Sequence, residues 1–144
     1  MKADEFITVI RNDAVVDAIK TAETRTSGEI RVFVSNKGVV DAISEAWEAF
    51  GRLKMERTAQ RNGLLIFVAP EARKFAIIGD EGIHRHCQDA FWQKLACELA
   101  DGFKAGDYTA ALVRVIQEAG QALAHHFPGR HDDVNELPND VARD

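Results

Sequence analysis

The stretch Asn62–His84, NGLLIFVAPEARKFAIIGDEGIH, constrains the fold more than any other part of this chain. An Asn-Gly pair opens it, and six apolar residues, Leu64 to Ala69, follow without a break. Pro70-Glu71-Ala72-Arg73 turn the chain, a second apolar run ends at Ile78, and Gly79-Asp80-Glu81-Gly82 stops it. Two extended runs joined by a short turn predict a β-hairpin. An unbroken apolar strand has to be covered on both faces, so a central sheet with helices above and below it follows.

The chain has 144 residues, enough for one domain whose core needs no covalent staples. A net charge of −5 and the absence of any block of Lys and Arg exclude a nucleic-acid binder, which needs a clustered basic face. Cys87 and Cys97 fall in one predicted helix, too far apart along it for a disulfide, so both are expected as reduced thiols. The N-terminus, MKADEFITVIRND, carries acids where a signal peptide carries its apolar centre, and no run reaches the length of a membrane span. The expectation is a cytoplasmic protein with no direct membrane insertion.

Taken in order, Lys2 to Arg11 predict a short helix with Phe6, Ile7 and Ile10 on one side. Asn12 is placed to cap a second helix, with Val15, Ala18, Ile19 and Ala22 as its buried stripe and Ser27-Gly28 at its end. Glu29 to Ser35 alternate as a strand does. Asp41 is a candidate N-cap for a helix whose Ile43, Ala46, Trp47 and Phe50 recur at the spacing of a face packed on the sheet. After the hairpin, Ile83, Cys87, Phe91, Leu95 and Leu99 step by four along one helix, with Gly102-Phe103 as its left-handed terminus. Asp107 opens a last helix with Tyr108, Leu112, Val115, Ile116, Ala119 and Leu123 inside, and Phe127-Pro128-Gly129 ends it. The whole predicts an α/β fold, a three-layer α/β/α sandwich on a small mixed sheet, spanning residues 1–128. Residues 129–144 are an acidic tail, mobile or laid on the surface as an arm.

Chain direction brings polar residues together. If the helix after Asp41 carries the chain from the first strand to the second as a crossover, the two strands are parallel, and the hairpin then returns the third strand to the edge where they began. Thr26-Ser27-Gly28-Glu29, Arg61-Asn62-Gly63 and Gly79-Asp80-Glu81-Gly82 meet there. Glu29, Asn62 and Asp80 offer hard oxygen ligands suited to Ca²⁺ or Mg²⁺ rather than zinc. Arg31 and Arg61 are candidates for holding phosphate or another anion. Each also has a plain structural reading: Asp80 as a helix cap, Asn62-Gly63 as a turn, Glu29 as a solvated charge, and Arg31 as a structural partner of Glu29 or Asp80.

His84 and His86 are two apart on a predicted helix, which does not suit a shared metal. His84 and Glu81 stand within a turn of Asp80 and are the candidates for moving a proton there. His125-His126 suit the carbonyl end of the last helix. No Gly-x-Ser-x-Gly, P-loop or Gly-x-Gly-x-x-Gly occurs.

At these residues the chain resembles the TPM domain family, through AIKTAETRTSGEIRVFV, RNGLLIFVAPEARKFAIIGDEGIH, FW, GDYTAAL and HHFP. The likeness is to the short cytosolic bacterial branch, which also has a tail like Asn135-Glu136-Leu137-Pro138. It implies an α/β/α domain similar to the thylakoid members linked to photosystem II repair, with divalent-cation binding and acid phosphatase activity proposed for them. Glu29, Asn62, Gly63, Gly79, Asp80 and Gly82 are the positions that carry over, and a LemA-like membrane protein is the partner implied. The Gly79-Asp80-Glu81-Gly82 turn departs from the aromatic Gly-Tyr-Gly style turn of the anchored relatives. Three functions therefore stand open: cation binding in a regulatory role, metal-assisted phosphate-ester hydrolysis, and protein–protein interaction without metal.

Overall fold

A computed structural model describes residues 1–129 and 138–144. Strands β1 (Glu29–Val34), β2 (Gly63–Ala69), β3 (Lys74–Gly79) and a short β4 (Ala142–Arg143) form one sheet in the order β3-β2-β1-β4. β1 runs parallel to β2, with Glu29 beside Gly63, and β2 runs antiparallel to β3, with Leu64 beside Gly79. Helices α1 (Ala3–Val9), α2 (Asn12–Glu23), α5 (Asp89–Lys104) and α6 (Tyr108–His126) contribute to the core on one face. Helix α3 (Ala42–Arg52), with the 3₁₀ turn Met55–Arg57, covers the other. The architecture is the expected three-layer α/β/α sandwich on a mixed sheet.

Every residue of β1 and β2 is buried, as the unbroken apolar run requires. Ile30, Val32 and Val34 join Leu64, Ile66 and Val68 in the core beneath α2 and α6, while Phe33 stacks on Phe67 under α3. Period-two alternation thus feeds two cores from one sheet.

Several elements depart from the sequence expectation. α3 is capped by Asp41, which accepts from Ile43 N and Ser44 N, but only Ala46 and Phe50 of the expected stripe are buried. Ile43 is 60% and Trp47 41% exposed. The stripe was set too far round the helix, because Ala46, Ala49 and Phe50 form the face that touches the sheet. Asn12 lies inside α2 rather than capping it, and α2 stops at Glu23, short of Ser27-Gly28. The helix expected from Ile83 is two: α4 (Glu81–His84), a turn holding Cys87, and α5. Cys87 and Cys97 accordingly do not share a helix, and both are free thiols. α5 continues through Gly102 to Lys104, and the left-handed glycine after it is Gly106, at φ 79°.

The end of the tail is a sheet element. β4 pairs parallel with Phe33 and Val34, and the Asp144 carboxylate accepts from Ser35 Oγ at 2.7 Å and from Asn36 N at 2.8 Å. The remainder of the tail reading, including Asn135-Glu136-Leu137, lies outside the described residues.

Candidate functional site

The three turns do meet at one end of the sheet. Glu29 N donates to Asn62 O at 3.3 Å, and Asp80 N donates to Gly63 O at 2.9 Å, so the start of β1, the start of β2 and the end of β3 are continuous by backbone hydrogen bonds. Thr58 sets the approach to β2: its hydroxyl accepts from Asn62 N at 3.0 Å, and its carbonyl from Arg61 N at 3.2 Å. Arg61 is held at φ 51°, a left-handed conformation that swings the chain into β2. The first turn of α4 presses against that bend. Gly82 N donates to Arg61 O, and a Cβ on Gly82 would lie 2.2 Å from Gln60 O, so only glycine fits there.

Asp80 is 4% exposed, and its carboxylate is fully engaged. Arg61 Nε donates to Oδ2 at 2.7 Å and Nη2 to Oδ1 at 3.0 Å, a two-pronged grip, while Glu81 N donates to Oδ1 at 2.8 Å as the cap of α4. The reading of Asp80 as a helix cap holds, and its carboxylate also pairs with Arg61. The bond to Asp80 holds the Arg61 guanidinium above its ordinary value. Glu81 adds a second acid at 3.5 Å from Arg61 Nη1.

Asn62 is 1% exposed. Its Nδ2 donates to Ser27 Oγ at 3.2 Å, while its Oδ1 is buried with no hydrogen-bond donor among the described residues. Buried side-chain oxygens are normally hydrogen-bonded, so Asn62 Oδ1 is an exception at this sheet end.

Glu29 belongs to a second cluster on the other side of β2. Strand spacing alone separates β1 from β3 by about 10 Å. Glu29 shares a hydrogen bond with Glu23, a residue the sequence reading did not single out, at the end of α2. Glu23 Oε2 accepts from Ile30 N at 2.9 Å, taking the place of a neighbouring strand on the open edge of β1. Burial, with Glu29 beside it, pushes the Glu23 carboxyl up to about 8, although the Ile30 amide works against the shift. Arg31, 7% exposed, donates from Nη2 to Asp140 O at 3.3 Å, and burial draws it below its ordinary value. The only sequence sign of Glu23 was its position six residues before Glu29, ahead of a helix end that was placed too late.

Among the proton-transfer candidates, Glu81 reaches the cluster through Arg61, whereas the His84 ring packs on Trp92 with centroids 5.0 Å apart. Among the anion candidates, Arg61 is held by Asp80, and Arg31 by the chain end. No group of three or more His, Cys, Asp or Glu among the described residues is gathered as a metal cluster. Any ion here would draw on amide and carbonyl oxygens as well as carboxylates.

The family model for the TPM domain matches residues 2–122. This chain belongs to the TPM domain family. The BA42 protein of the psychrophilic bacterium Bizionia argentinensis, solved by NMR, is 40% identical to it over 94% of this chain and 96% of that one, with a TM-score of 0.87. The N-terminal domain of the cg2496 protein from Corynebacterium glutamicum is 21% identical, covering 76% of this chain and 67% of that one, with a TM-score of 0.53, and shares the fold. No curated protein sequence matches. Among the described residues, no helix of this TPM domain is long and apolar enough to cross a membrane.

Proposed function

We propose that this TPM domain binds a divalent cation, Ca²⁺ or Mg²⁺, at the sheet end marked by Glu29, Asn62 and Asp80, in a binding or regulatory role. The observation that carries the reading is the buried Asn62 Oδ1, which lacks a donor among the described residues, at the same sheet end where the Asp80 carboxylate already holds a cation of its own, the Arg61 guanidinium. The donors at this sheet end are all hard oxygens: Asp80, Asn62, the half-exposed Glu81 and, from the far side of β2, Glu29 once it leaves Glu23. That set suits Ca²⁺ or Mg²⁺.

Arg61 is the residue that tunes the site. Its side chain is 44% exposed, so the guanidinium can withdraw into water when another cation takes over the charge of Asp80. The bound ion would supply the positive charge that Arg61 supplies in its absence. Arg61 thus lowers apparent affinity by competition and keeps Asp80 neutralised when no ion is bound.

Thermal melts with added Ca²⁺ or Mg²⁺ test this, because an ion that binds only the folded chain stabilises it by about 2.7 kcal/mol at a hundred times its dissociation constant. Wild type should melt higher with millimolar ion. Arg61→Gln should respond at lower ion concentration, and Asp80→Asn should not respond. Amide NMR locates the effect at Asn62 and Asp80. If neither the melt nor those amides move in wild type and in Arg61→Gln, the proposal is wrong.

A further inference from the structure

β3 is the terminal strand of the sheet, and no strand covers its outer edge among the described residues. Its register with β2 fixes which backbone groups face outward. Asp80 N bonds Gly63 O, and Ile78 and Ala76 sit opposite Leu65 and Phe67. By antiparallel alternation, Ala76, Ile78 and Asp80 turn their N–H and C=O toward β2, and Phe75, Ile77 and Gly79 turn theirs away. The strand, KFAIIG, carries neither proline nor bulge, the usual devices that blunt an edge.

A second observation falls on the same side of the molecule. α3 packs over β2 and β3. Its Arg52 leans over the Phe33 ring of β1, 5.6 Å from the centroid, so that flank faces away from β3. Ile43 stands nine residues before Arg52, half a turn round the helix at about 100° per residue, and so faces the β3 side with Trp47 one turn on. Ile43 and Trp47 are the exposed apolar residues of α3, and Val40, 87% exposed, precedes its cap. Lys74 Nζ donates to Val40 O, which ties this apolar flank to the start of β3.

We propose that this side is a homodimer interface, in which β3 pairs antiparallel with β3 of a second copy about a two-fold axis at Ile77. The strand is self-complementary in that register. Ile77 meets Ile77, and each Phe75 lies opposite the Gly79 of the other copy, whose bare face is already covered by Trp92 of its own chain. At both extremities Arg73 of one copy meets the half-exposed Glu81 of the other. A second copy satisfies these requirements at once, which singles it out as the occupant. The helices fit as well. With strands about 4.8 Å apart and α3 astride β2 and β3, the two α3 axes lie about 10 Å from each other, within reach of helix packing distance. Val40, Ile43 and Trp47 of both copies would then be covered together.

Sedimentation equilibrium of the full chain from micromolar to millimolar concentration should show a monomer–dimer equilibrium. Over the same range, amide exchange at Phe75, Ile77 and Gly79 should slow as concentration rises, while Ala76 and Ile78, bonded within the sheet, should not change. Ile43→Glu, on the exposed flank where it leaves both cores intact, should weaken dimerisation by about tenfold or more. Ile77→Pro removes an outward N–H together with a half-buried side chain, and should weaken dimerisation more than Ile77→Ala, which keeps the N–H. The proposal is overturned by a chain that stays monomeric throughout, by a dimer whose Phe75, Ile77 and Gly79 amides exchange as fast as in dilute protein, or by a dimer that Ile43→Glu leaves unchanged.

Discussion

Glu23 accepts the amide of Ile30 at 2.9 Å and thereby stands where a further strand would bond the edge of β1. This arrangement joins α2 to the sheet through a carboxyl that burial and Glu29 hold protonated up to about pH 8. Its ordinary value is 4.5. The folded form therefore binds a proton that the unfolded chain has lost, and the sign of the pH dependence follows. The contribution is fully present below about pH 4.5 and is lost as pH rises through about 8, amounting to about 2–4 kcal/mol across that window. Glu23→Gln mimics the protonated form, accepting from Ile30 and donating to Glu29. Its stability in urea should fall less than that of wild type between pH 5 and 8, and a parallel decline in the two proteins would count against the shared proton.

Asp80 serves two neighbours, so removing its carboxylate should cost more than a surface ion pair does. Asp80→Ala loses the cap on Glu81 N and leaves Arg61 without its acceptor, for an expected loss of about 2–3 kcal/mol, tempered by the exposure of Arg61. Asp80→Asn keeps an oxygen for the cap and should lose about half of that. Equal losses in the two variants would show that the cap contributes nothing.

The convergence of Glu29, Asn62 and Asp80 at one sheet end was legible from the sequence, because chain direction alone decides it: a crossover makes β1 and β2 parallel, and a hairpin brings β3 back. Which side chain pairs with which was not legible. Glu29 turns to Glu23 because α2 stops earlier than Ser27-Gly28 suggested, and Arg61 takes Asp80 because a left-handed bend at Arg61 points its side chain across the β2–β3 junction. The face of α3 was misread for a related reason. Periodicity gives an apolar stripe about four residues wide, but a small residue such as Ala49 carries little weight beside Ile43 and Trp47 in such a pattern, while it is what lets a helix sit close on a sheet.

Gly82 sets the contact between α4 and the bend at Gln60-Arg61. Gly82→Ala places a Cβ 2.2 Å from one carbonyl and 2.6 Å from the next, both of them backbone that has to move. The expected cost is about 2–4 kcal/mol, the scale of an overpacked core. Because the displaced segment carries Arg61 and Asn62, amide shifts should appear at Asn62, Gly63 and Asp80. An alanine variant as stable as wild type, with those amides unmoved, would mean that α4 and the bend are not packed as described.

His126 provides an acid-side prediction opposite in direction to that of Glu23. Its ring stacks on His86 with centroids 4.8 Å apart and lies beside His125 at the same distance. Desolvation, followed by the positive charge that His125 and His86 can acquire, lowers its affinity for a proton below the ordinary 6.5. The neutral form is thus the one the fold prefers, so this contribution is present above about pH 6.5 and is lost as pH falls through the lowered value. In a Glu23→Gln background, which removes the opposing rise from that carboxyl, melting temperature should drop on acidification from pH 7 toward 5. His126→Gln removes the titration without removing a polar group and should flatten that part of the profile. NMR titration of the imidazole signals decides the cause: a His126 that titrates at the same pH as a free histidine would exclude the stacked ring as the source.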